Sequence, residues 1–269
     1  MSDFTPKKIR TTSLLEIKER GEKFSCLTSY DSLTAGIFDA AGIELLLVGD
    51  SAADNSLGYG TTLPITLDEM ISFTRAVKAS TRRALVVADL PFGSYETGAD
   101  DALRNAIRLV KEGGAEAVKL EGGQRSAAAI SAIVEAGIPV CAHLGFTPQS
   151  VNALGGFKVQ GKGDAAKQLI EDAKAVEAAG AFAVVLELVP AGVAKLVEAE
   201  LAIPTIGIGA GSATTGQILV WTDFAGLSGH APRKFVRRYA NLREELQKAA
   251  TEYRNDVLNS AFPNESESF

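Results

Sequence analysis

Four apolar runs of this chain end on an acidic side chain or one residue before it. The acids are Asp50, Asp89, Glu121 and Glu187, and each run before them has the length and the Val, Ile and Leu content of a buried β-strand. A carboxylate is costly to bury without a partner. Four carboxylates at strand ends therefore predict one shared site, of the kind that holds a cation.

Lys119 and His143 belong to the same set of candidates. Lys119 lies two residues before Glu121 on one predicted strand, so both side chains point to the same face. His143 ends the next apolar run. A helix N-cap or an ion pair explains Asp50 equally well when it is taken alone. Caps would not cluster at one end of one sheet, however, so the whole set predicts an active site.

The donor set favours magnesium over zinc. Carboxylate oxygens are the ligands of hard cations such as Mg²⁺, whereas zinc sites use His and Cys. The chain has only 2 histidines and 2 cysteines. Cys26 and Cys141 both lie within apolar runs, where a buried thiol is the simplest interpretation. We therefore expect a Mg²⁺ site, and a reducing cytoplasm as the compartment.

Eight apolar segments alternate with Ala-rich helical patterns along the chain. Because these segments are continuously apolar, they favour a parallel sheet covered by helices. Eight such units in 269 residues predict a closed (β/α)8 TIM barrel, with the active site at the C-terminal ends of the strands. An open doubly wound sheet is the structural alternative. The strands are predicted near residues 24–29, 45–49, 84–89, 116–121, 138–143, 183–187, 204–208 and 217–221.

We expect residues 1–269 to form a single domain, with the barrel at about 24–230. Residues 12–23 are predicted to form a short helix that closes the barrel floor. A charged amphipathic pattern over 233–258 predicts a helix within a C-terminal helical extension, at about 233–269. His230 is predicted to be a surface residue in the loop between them.

Composition narrows the classes of partner. The chain is 46% hydrophobic and 22% charged, as in a globular protein with a large core. Lys and Arg number 27 and Asp and Glu 33, and no basic stripe is present, so we expect no nucleic-acid partner. No apolar run approaches the roughly 20 residues of a membrane helix. We therefore expect neither a membrane span nor a signal peptide at residues 1–10.

A long polar segment over 145–163 follows the fifth strand, and long connections in compact domains are often functional lids. Eight segments, this one included, form a recognisable set: LTSYD at 27–31, LLVGDS at 46–51, TLPIT at 62–66, ADLPFGSY at 88–95, AVKLEGG at 117–123, HLGFTPQSVNALGGFKVQGKG at 143–163, LELVP at 186–190 and IGIGAG at 206–211. Together they resemble the ketopantoate hydroxymethyltransferase family.

This resemblance implies a Mg²⁺-dependent transferase of pantothenate biosynthesis. It implies transfer of a hydroxymethyl group from 5,10-methylenetetrahydrofolate to 3-methyl-2-oxobutanoate, giving 2-dehydropantoate through a Mg²⁺-stabilised enolate. It implies Glu187 as the catalytic proton acceptor and a homo-oligomer, often a decamer. The implied metal ligands are Asp50, Asp89 and Glu121, and the implied keto-acid contacts are Asp50, Ser51, Asp89, Lys119 and His143.

The chain departs from the common family pattern at two places. Ala52-Ala53-Asp54 stands where many members have Leu-Gly-Met, and Thr215 stands where many have Asp. The second departure puts any folate or structural role of that acid in doubt. Lys158 and Lys162 are the nearest loop candidates for the anionic folate tail.

Three other functions remain open at this point. A class I aldolase would use Lys119 as a Schiff base. A Mg²⁺-dependent lyase or mutase acting on phosphoenolpyruvate-like substrates would share the barrel and the acids. A degenerate barrel could serve as a ligand-binding or scaffold subunit without catalysis.

Overall fold

The chain folds around a closed barrel of eight parallel strands, seen in a computed structural model that describes residues 7–229, 231 and 233–269. The strands follow one another around the barrel in sequence order. This confirms the (β/α)8 prediction and excludes the open sheet. The strands are β1 Phe24–Thr28, β2 Leu45–Val48, β3 Leu85–Asp89, β4 Ala117–Glu121, β5 Val140–Gly145, β6 Ala183–Glu187, β7 Thr205–Ile208 and β8 Gly216–Leu219.

Helices and short turns connect the strands. None of the helices in the described ranges combines the length and apolar character that a membrane crossing requires. A π-helical turn at Leu109–Gly113 and 3₁₀ turns at Gln124–Ser126 and Pro148–Ser150 interrupt the connections. The helices are α1 Thr11–Glu19, α2 Ser32–Ala40, α3 Ala52–Asn55, α4 Leu67–Ser80, α5 Ala99–Arg108, α6 Ala127–Glu135, α7 Val151–Leu154, α8 Ala165–Ala178, α9 Ala191–Glu200, α10 Trp221–Phe224 and α11 Leu242–Leu258.

Strand register brings the predicted site residues side by side. Asp89 on β3 pairs with Lys119 on β4, and Glu121 on β4 pairs with His143 on β5. Side chains at paired positions of neighbouring parallel strands share a face. Because all eight strands run in one direction, their C-terminal ends form a single rim that carries these residues.

Helix α1 closes the opposite end of the barrel, as the sequence predicted. Leu14 on this helix is fully buried. The Lys18 ammonium donates to the main-chain oxygens of Glu198 and Ile203, at 3.0 and 2.8 Å, just before β7 begins. The helix begins at Thr11 and ends at Glu19, so it is shorter than the predicted segment.

By its internal contacts the chain falls into two compact units, Met1–Val220 and Trp221–Phe269. The expectation of a single domain stays a prediction. In the second unit the helix predicted over 233–258 was placed too early, because α11 begins at Leu242. The main-chain N–H groups of Tyr239 and Leu242 donate to the oxygens of Phe224 and Ala225, which holds that segment in a turn. The predicted surface position of His230 lies outside the described residues.

Candidate active site

Five ionisable side chains meet at the C-terminal ends of β2 to β5, and all five are buried. Asp50, Asp89 and Glu121 are 4%, 2% and 1% exposed, and Lys119 and His143 are each 4% exposed. Buried charges of this kind are tolerated only when they are paired or bind an ion. The structure thus brings together these five side chains, which the sequence predicted to share one site at the strand ends.

Asp89 lies between Asp50 and Lys119. Its Oδ2 accepts a hydrogen bond from the main-chain N–H of Asp50 at 3.0 Å, and its Oδ1 lies 3.0 Å from the Lys119 ammonium. Burial raises the pKa of Asp50 to about 8, and repulsion from Asp89 and Glu121 adds to the effect. Burial also raises the pKa of Asp89, although Lys119 opposes it. Negative charge on both acids is therefore disfavoured here unless a further cation joins Lys119.

Lys119 stays charged in this setting. Burial acts to lower its pKa, but attraction to Asp89, Glu121 and Asp50 outweighs burial and raises the pKa above the ordinary value. A charged ammonium is available to bind an anionic group of a substrate. It is a poor nucleophile in this form, because Schiff-base chemistry needs the neutral amine.

His143 connects the acids of β4 and β6. Its Nδ1 lies 3.3 Å from Lys119 Nζ and 3.4 Å from Glu121 Oε1, and its Nε2 lies 3.4 Å from Glu187 Oε2. Burial and Lys119 act to lower its pKa, but Glu121 and Glu187 prevail and raise it to about 9. The imidazole thus links Glu121 on β4 to Glu187 on β6 and lies beside the Lys119 ammonium.

Glu187 is the most open acid of the group, with a side chain that is 12% exposed. Its main-chain oxygen accepts from the N–H of Phe146 at 2.8 Å. Gly145 permits this approach, because a Cβ there would lie 2.2 Å from that oxygen. The next residue, Leu188, has a φ of 48°, an uncommon conformation for a leucine. The backbone therefore fixes Glu187 tightly at the rim.

Ser51 lies at the entrance to α3, where its Oγ is 2.8 Å from the Tyr30 hydroxyl. Ala52 and Ala53, which stand at the Leu and Gly positions of the common family pattern, are fully buried. The exposed Asp54 follows them. This departure therefore changes a packed wall beside the site and leaves the predicted ligands in place.

Two buried residues of the site, Tyr95 and Gln149, were absent from the predicted set. They are 6% and 5% exposed, and the Gln149 amide nitrogen donates to Asp50 Oδ2 at 2.9 Å. Both lie within segments that carry the family resemblance, ADLPFGSY and HLGFTPQSVN. The sequence signal that could have found them is a polar side chain, within a family motif, to which no role had been assigned.

The family comparison agrees with the site. A family model described as ketopantoate hydroxymethyltransferase matches residues 8–265. The chain belongs to the ketopantoate hydroxymethyltransferase family. Curated members named 3-methyl-2-oxobutanoate hydroxymethyltransferase include a Leifsonia xyli protein, 59% identical over 98% of this chain and 96% of its own length. A Mycobacterium tuberculosis protein of that name is 57% identical over 97% of this chain and 93% of its own.

Solved structures of lower identity share the fold with this family member. A phosphonopyruvate hydrolase, solved with oxalate and Mg²⁺, has a TM-score of 0.61 and 16% identity, covering 96% of this chain and 93% of its own. A 2,3-dimethylmalate lyase of the PEP mutase/isocitrate lyase superfamily has a TM-score of 0.59 and 17% identity, covering 96% and 91%. At these identities the likeness concerns the barrel alone.

The acids fit a magnesium ion held by few protein ligands. Glu121 Oε1 is buried without a hydrogen bond, and Asp89 Oδ1 has only its ion pair with Lys119. Across the described ranges, no three His, Cys, Asp or Glu side chains are already gathered around one ion position. Mg²⁺ usually takes one or two carboxylates and completes its shell with water and substrate. The neighbouring Asp50 and Asp89 suit that pattern, and the assignment of Asp50, Asp89 and Glu121 as ligands stays a prediction.

Proposed function

We propose that this chain transfers a hydroxymethyl group from 5,10-methylenetetrahydrofolate to 3-methyl-2-oxobutanoate. The product is 2-dehydropantoate, and the reaction is the first step of pantothenate biosynthesis. Relatives that carry the name of this reaction are 55–59% identical over 97–98% of this chain. The observation that carries the proposal is the charged Lys119, buried among Asp50, Asp89 and Glu121 in a barrel of that family.

The proposed keto-acid site uses both signs of charge. Asp50 and Asp89 hold Mg²⁺, while Lys119 and His143 face the anionic keto acid, with Ser51 at its edge. When bound, Mg²⁺ stabilises negative charge on the keto oxygen, which makes the hydrogen on C3 of the keto acid more acidic. Burial strengthens each of these interactions, because a dry site has a low effective dielectric constant.

Glu187 is the proposed base. It is the acid of the group that solvent and substrate reach most easily, and its carboxylate contacts His143 at 3.4 Å. It takes the proton from C3 of 3-methyl-2-oxobutanoate, and a C–C bond then forms between C3 and the methylene carbon of the folate. The two bonds from that carbon to N5 and N10 of the folate break, and one water is consumed: its OH becomes the new hydroxyl group, while its other hydrogen and the proton from C3 end on the two folate nitrogens as tetrahydrofolate leaves. Positioned carboxylates commonly contribute roughly 10²–10⁴-fold in such steps.

The competing functions fit the site less well. The raised pKa of Lys119, which attraction to three acids produces against the effect of burial, disfavours a Schiff-base aldolase. Borohydride trapping of substrate on Lys119 would reinstate it. A scaffold without catalysis has no need of three buried carboxylates, which are costly to keep.

The remaining parts of the proposal concern context. We place the enzyme in the cytoplasm, with a small keto acid and a folate as its partners and no nucleic acid or membrane. Lys158 and Lys162 are exposed on the loop after β5, where an anionic folate tail could reach them. We expect a homo-oligomer, with a decamer as the size that the family resemblance implies. Self-association is supported by α11, which buries no residue and exposes Leu246, Tyr253 and Val257.

The test is an assay of 3-methyl-2-oxobutanoate with 5,10-methylenetetrahydrofolate, with and without Mg²⁺. We expect 2-dehydropantoate only when both substrates and the cation are present, and loss of turnover after EDTA treatment. Absence of product in the complete mixture would contradict the reaction. Full turnover after chelation would contradict the role of Mg²⁺. Light scattering of the purified protein measures the oligomer size.

A further inference from the structure

Gln149 bridges two of the buried acids. Its side-chain nitrogen donates to Asp50 Oδ2 at 2.9 Å and to the main-chain oxygen of Leu90 at 3.0 Å. Its main-chain N–H donates to Glu121 Oε2 at 3.0 Å. That N–H is available because Gln149 lies in the first turn of the Pro148–Ser150 segment, where main-chain donors have no partner within the turn. One residue therefore holds one oxygen of each carboxylate.

Tyr95 determines which way the Gln149 amide points. The Tyr95 hydroxyl donates to Gln149 Oε1 and accepts from the main-chain N–H of Glu121 at 3.2 Å. An amide rotated by half a turn would place Oε1 against Asp50 Oδ2 and the Leu90 oxygen, which are both acceptors. The hydroxyl and these two acceptors therefore select the same orientation, with the NH₂ group toward Asp50.

We propose that Gln149 is a positioning residue that holds the carboxylates of Asp50 and Glu121, and that Tyr95 acts through it. Gln149 engages Asp50 Oδ2 and Glu121 Oε2, so the second oxygen of each carboxylate takes no part in the bridge. For Glu121 this second oxygen is buried, and its polar neighbour is His143 Nδ1 at 3.4 Å. The bridge thus presents a preset oxygen from each acid to the cation and keto acid, a role that rests on the proposed function.

The test compares two substitutions in the bridge with one outside it. Gln149→Met keeps the volume and removes every side-chain hydrogen bond, while Tyr95→Phe removes one hydroxyl. Gln168→Met, at an exposed position on α8, is the matched control. Partners that orient metal ligands typically contribute 10–100-fold in metal affinity. We expect Mg²⁺ affinity, measured by calorimetry, to fall about 10–100-fold in Gln149→Met and by less in Tyr95→Phe, and to be unchanged in the control.

Two outcomes would overturn the role of Gln149: wild-type Mg²⁺ affinity in Gln149→Met, or an equal loss in Gln168→Met. The double variant Tyr95→Phe/Gln149→Met tests the dependence of Tyr95 on Gln149. A loss close to that of Gln149→Met alone supports it, and a loss equal to the product of the two single losses contradicts it.

A crystal structure of Gln149→Met provides a readout that needs neither metal nor turnover. We expect the Asp50 carboxylate to leave its present rotamer, because its donor is gone. An unchanged Asp50 would overturn the positioning role, whereas Glu121 should stay in place because its donor is the main-chain N–H of residue 149. If the wild-type enzyme makes no 2-dehydropantoate, the proposed function fails, and this structure still decides whether the Gln149 side chain sets the Asp50 carboxylate.

Discussion

At the N-terminal ends of the strands, Glu198 is surrounded by donors, whereas at the C-terminal ends Asp50 faces other acids. Glu198 accepts from the hydroxyls of Thr205 and Thr215 and pairs with Lys18 at 3.0 Å. Asp50 has the amide of Gln149 as its donor and lies against Asp89 and Glu121. The same barrel therefore contains a satisfied carboxylate at one end and a crowded one at the other.

The pKa directions follow this contrast. Burial acts to raise the pKa of Glu198, but Thr205, Thr215 and Lys18 prevail and lower it. Burial acts to raise the pKa of Asp39 too, yet the N–H groups of Ala84, Arg82 and Arg83 lower it. At the other end burial raises the pKa of both Asp50 and Asp89. The floor of a barrel serves stability and the opposite rim serves chemistry, and stability is sacrificed where the chemistry needs charge.

Thr215 belongs to the stable end. It precedes β8, is 3% exposed, and donates from its hydroxyl to Glu198 Oε1 at 2.7 Å. The departure from the acid of the common family pattern thus falls on the barrel floor, away from the rim with the candidate site acids. An acid at this position would face Glu198, so threonine suits the local charge better here.

The largest effect should come from removing an acid at the catalytic rim. Asp89→Ala takes away a proposed Mg²⁺ ligand and leaves Lys119 unpaired. Because a cation contributes several kcal/mol of charge stabilisation, we expect kcat/KM to fall by about 10³-fold or more while circular dichroism shows a folded barrel. Asp50→Ala should behave alike. Wild-type turnover with normal Mg²⁺ affinity in either variant would remove that acid from the metal site.

Lys119→Met should separate substrate binding from metal binding. Hydrogen bonds to charged groups contribute about 1.5–3 kcal/mol, so KM for the keto acid should rise roughly 10–100-fold. Mg²⁺ affinity should not fall, since a positive charge has been removed. Lys174→Met, which breaks an exposed pair with Glu200, is the control and should match wild type. A normal KM in Lys119→Met would make Lys119 only an ion-pair partner of Asp89.

A substitution at the barrel floor should change the stability of the protein and not its activity. Glu198→Gln removes the charge that Lys18, Thr205 and Thr215 hold, and we expect the free energy of unfolding to fall by about 1–3 kcal/mol. Glu200→Gln, on the same helix but with an exposed partner, should cost less than about 0.5 kcal/mol. Guanidinium denaturation and steady-state assays measure both quantities. A loss of kcat in Glu198→Gln would show that the two ends are not separate in function.

A smaller effect should appear in the dependence of stability on pH. The lowered pKa of Glu198 means that its charged form stabilises the folded chain above the ordinary glutamate pKa of about 4.3. That contribution is lost as pH falls through the lowered folded-state value. The stability difference between wild type and Glu198→Gln should therefore be present at pH 7 and shrink below about pH 4.3. A difference that grew on acidification would contradict the assignment.

The acids of the candidate site were more predictable from the sequence than the contacts that support them. Asp50, Asp89, Glu121 and Glu187 stand at the ends of apolar runs, and strand periodicity is a local signal. The predicted strand bounds agree with the observed ones to within about two residues for the same reason. Gln149 could not be found in this way, because it reaches Asp50 from a loop 99 residues further along the chain. Such contacts are made by the tertiary fold and leave no periodic pattern.

The contact between Glu198 and Thr215 on the barrel floor and the start of α11 in the second unit were not predicted, for related reasons. Glu198 and Thr215 meet because β7 and β8 are neighbours in the barrel. The sequence around either residue does not indicate the other. The start of α11 at Leu242 was missed because the charged pattern before it is equally helical, while turn contacts to Phe224 and Ala225 decide the structure.

Hydrogen exchange at C3 of 3-methyl-2-oxobutanoate tests the central claim most directly. In deuterated water without folate, the wild-type enzyme with Mg²⁺ should exchange this hydrogen, because the first half-reaction needs only the base and the charged pocket. Glu187→Gln keeps the shape but cannot accept a proton, so exchange should fall roughly 10²–10⁴-fold while keto acid and Mg²⁺ still bind. Exchange at the wild-type rate in Glu187→Gln would contradict the account and move the base to His143 or a bound water.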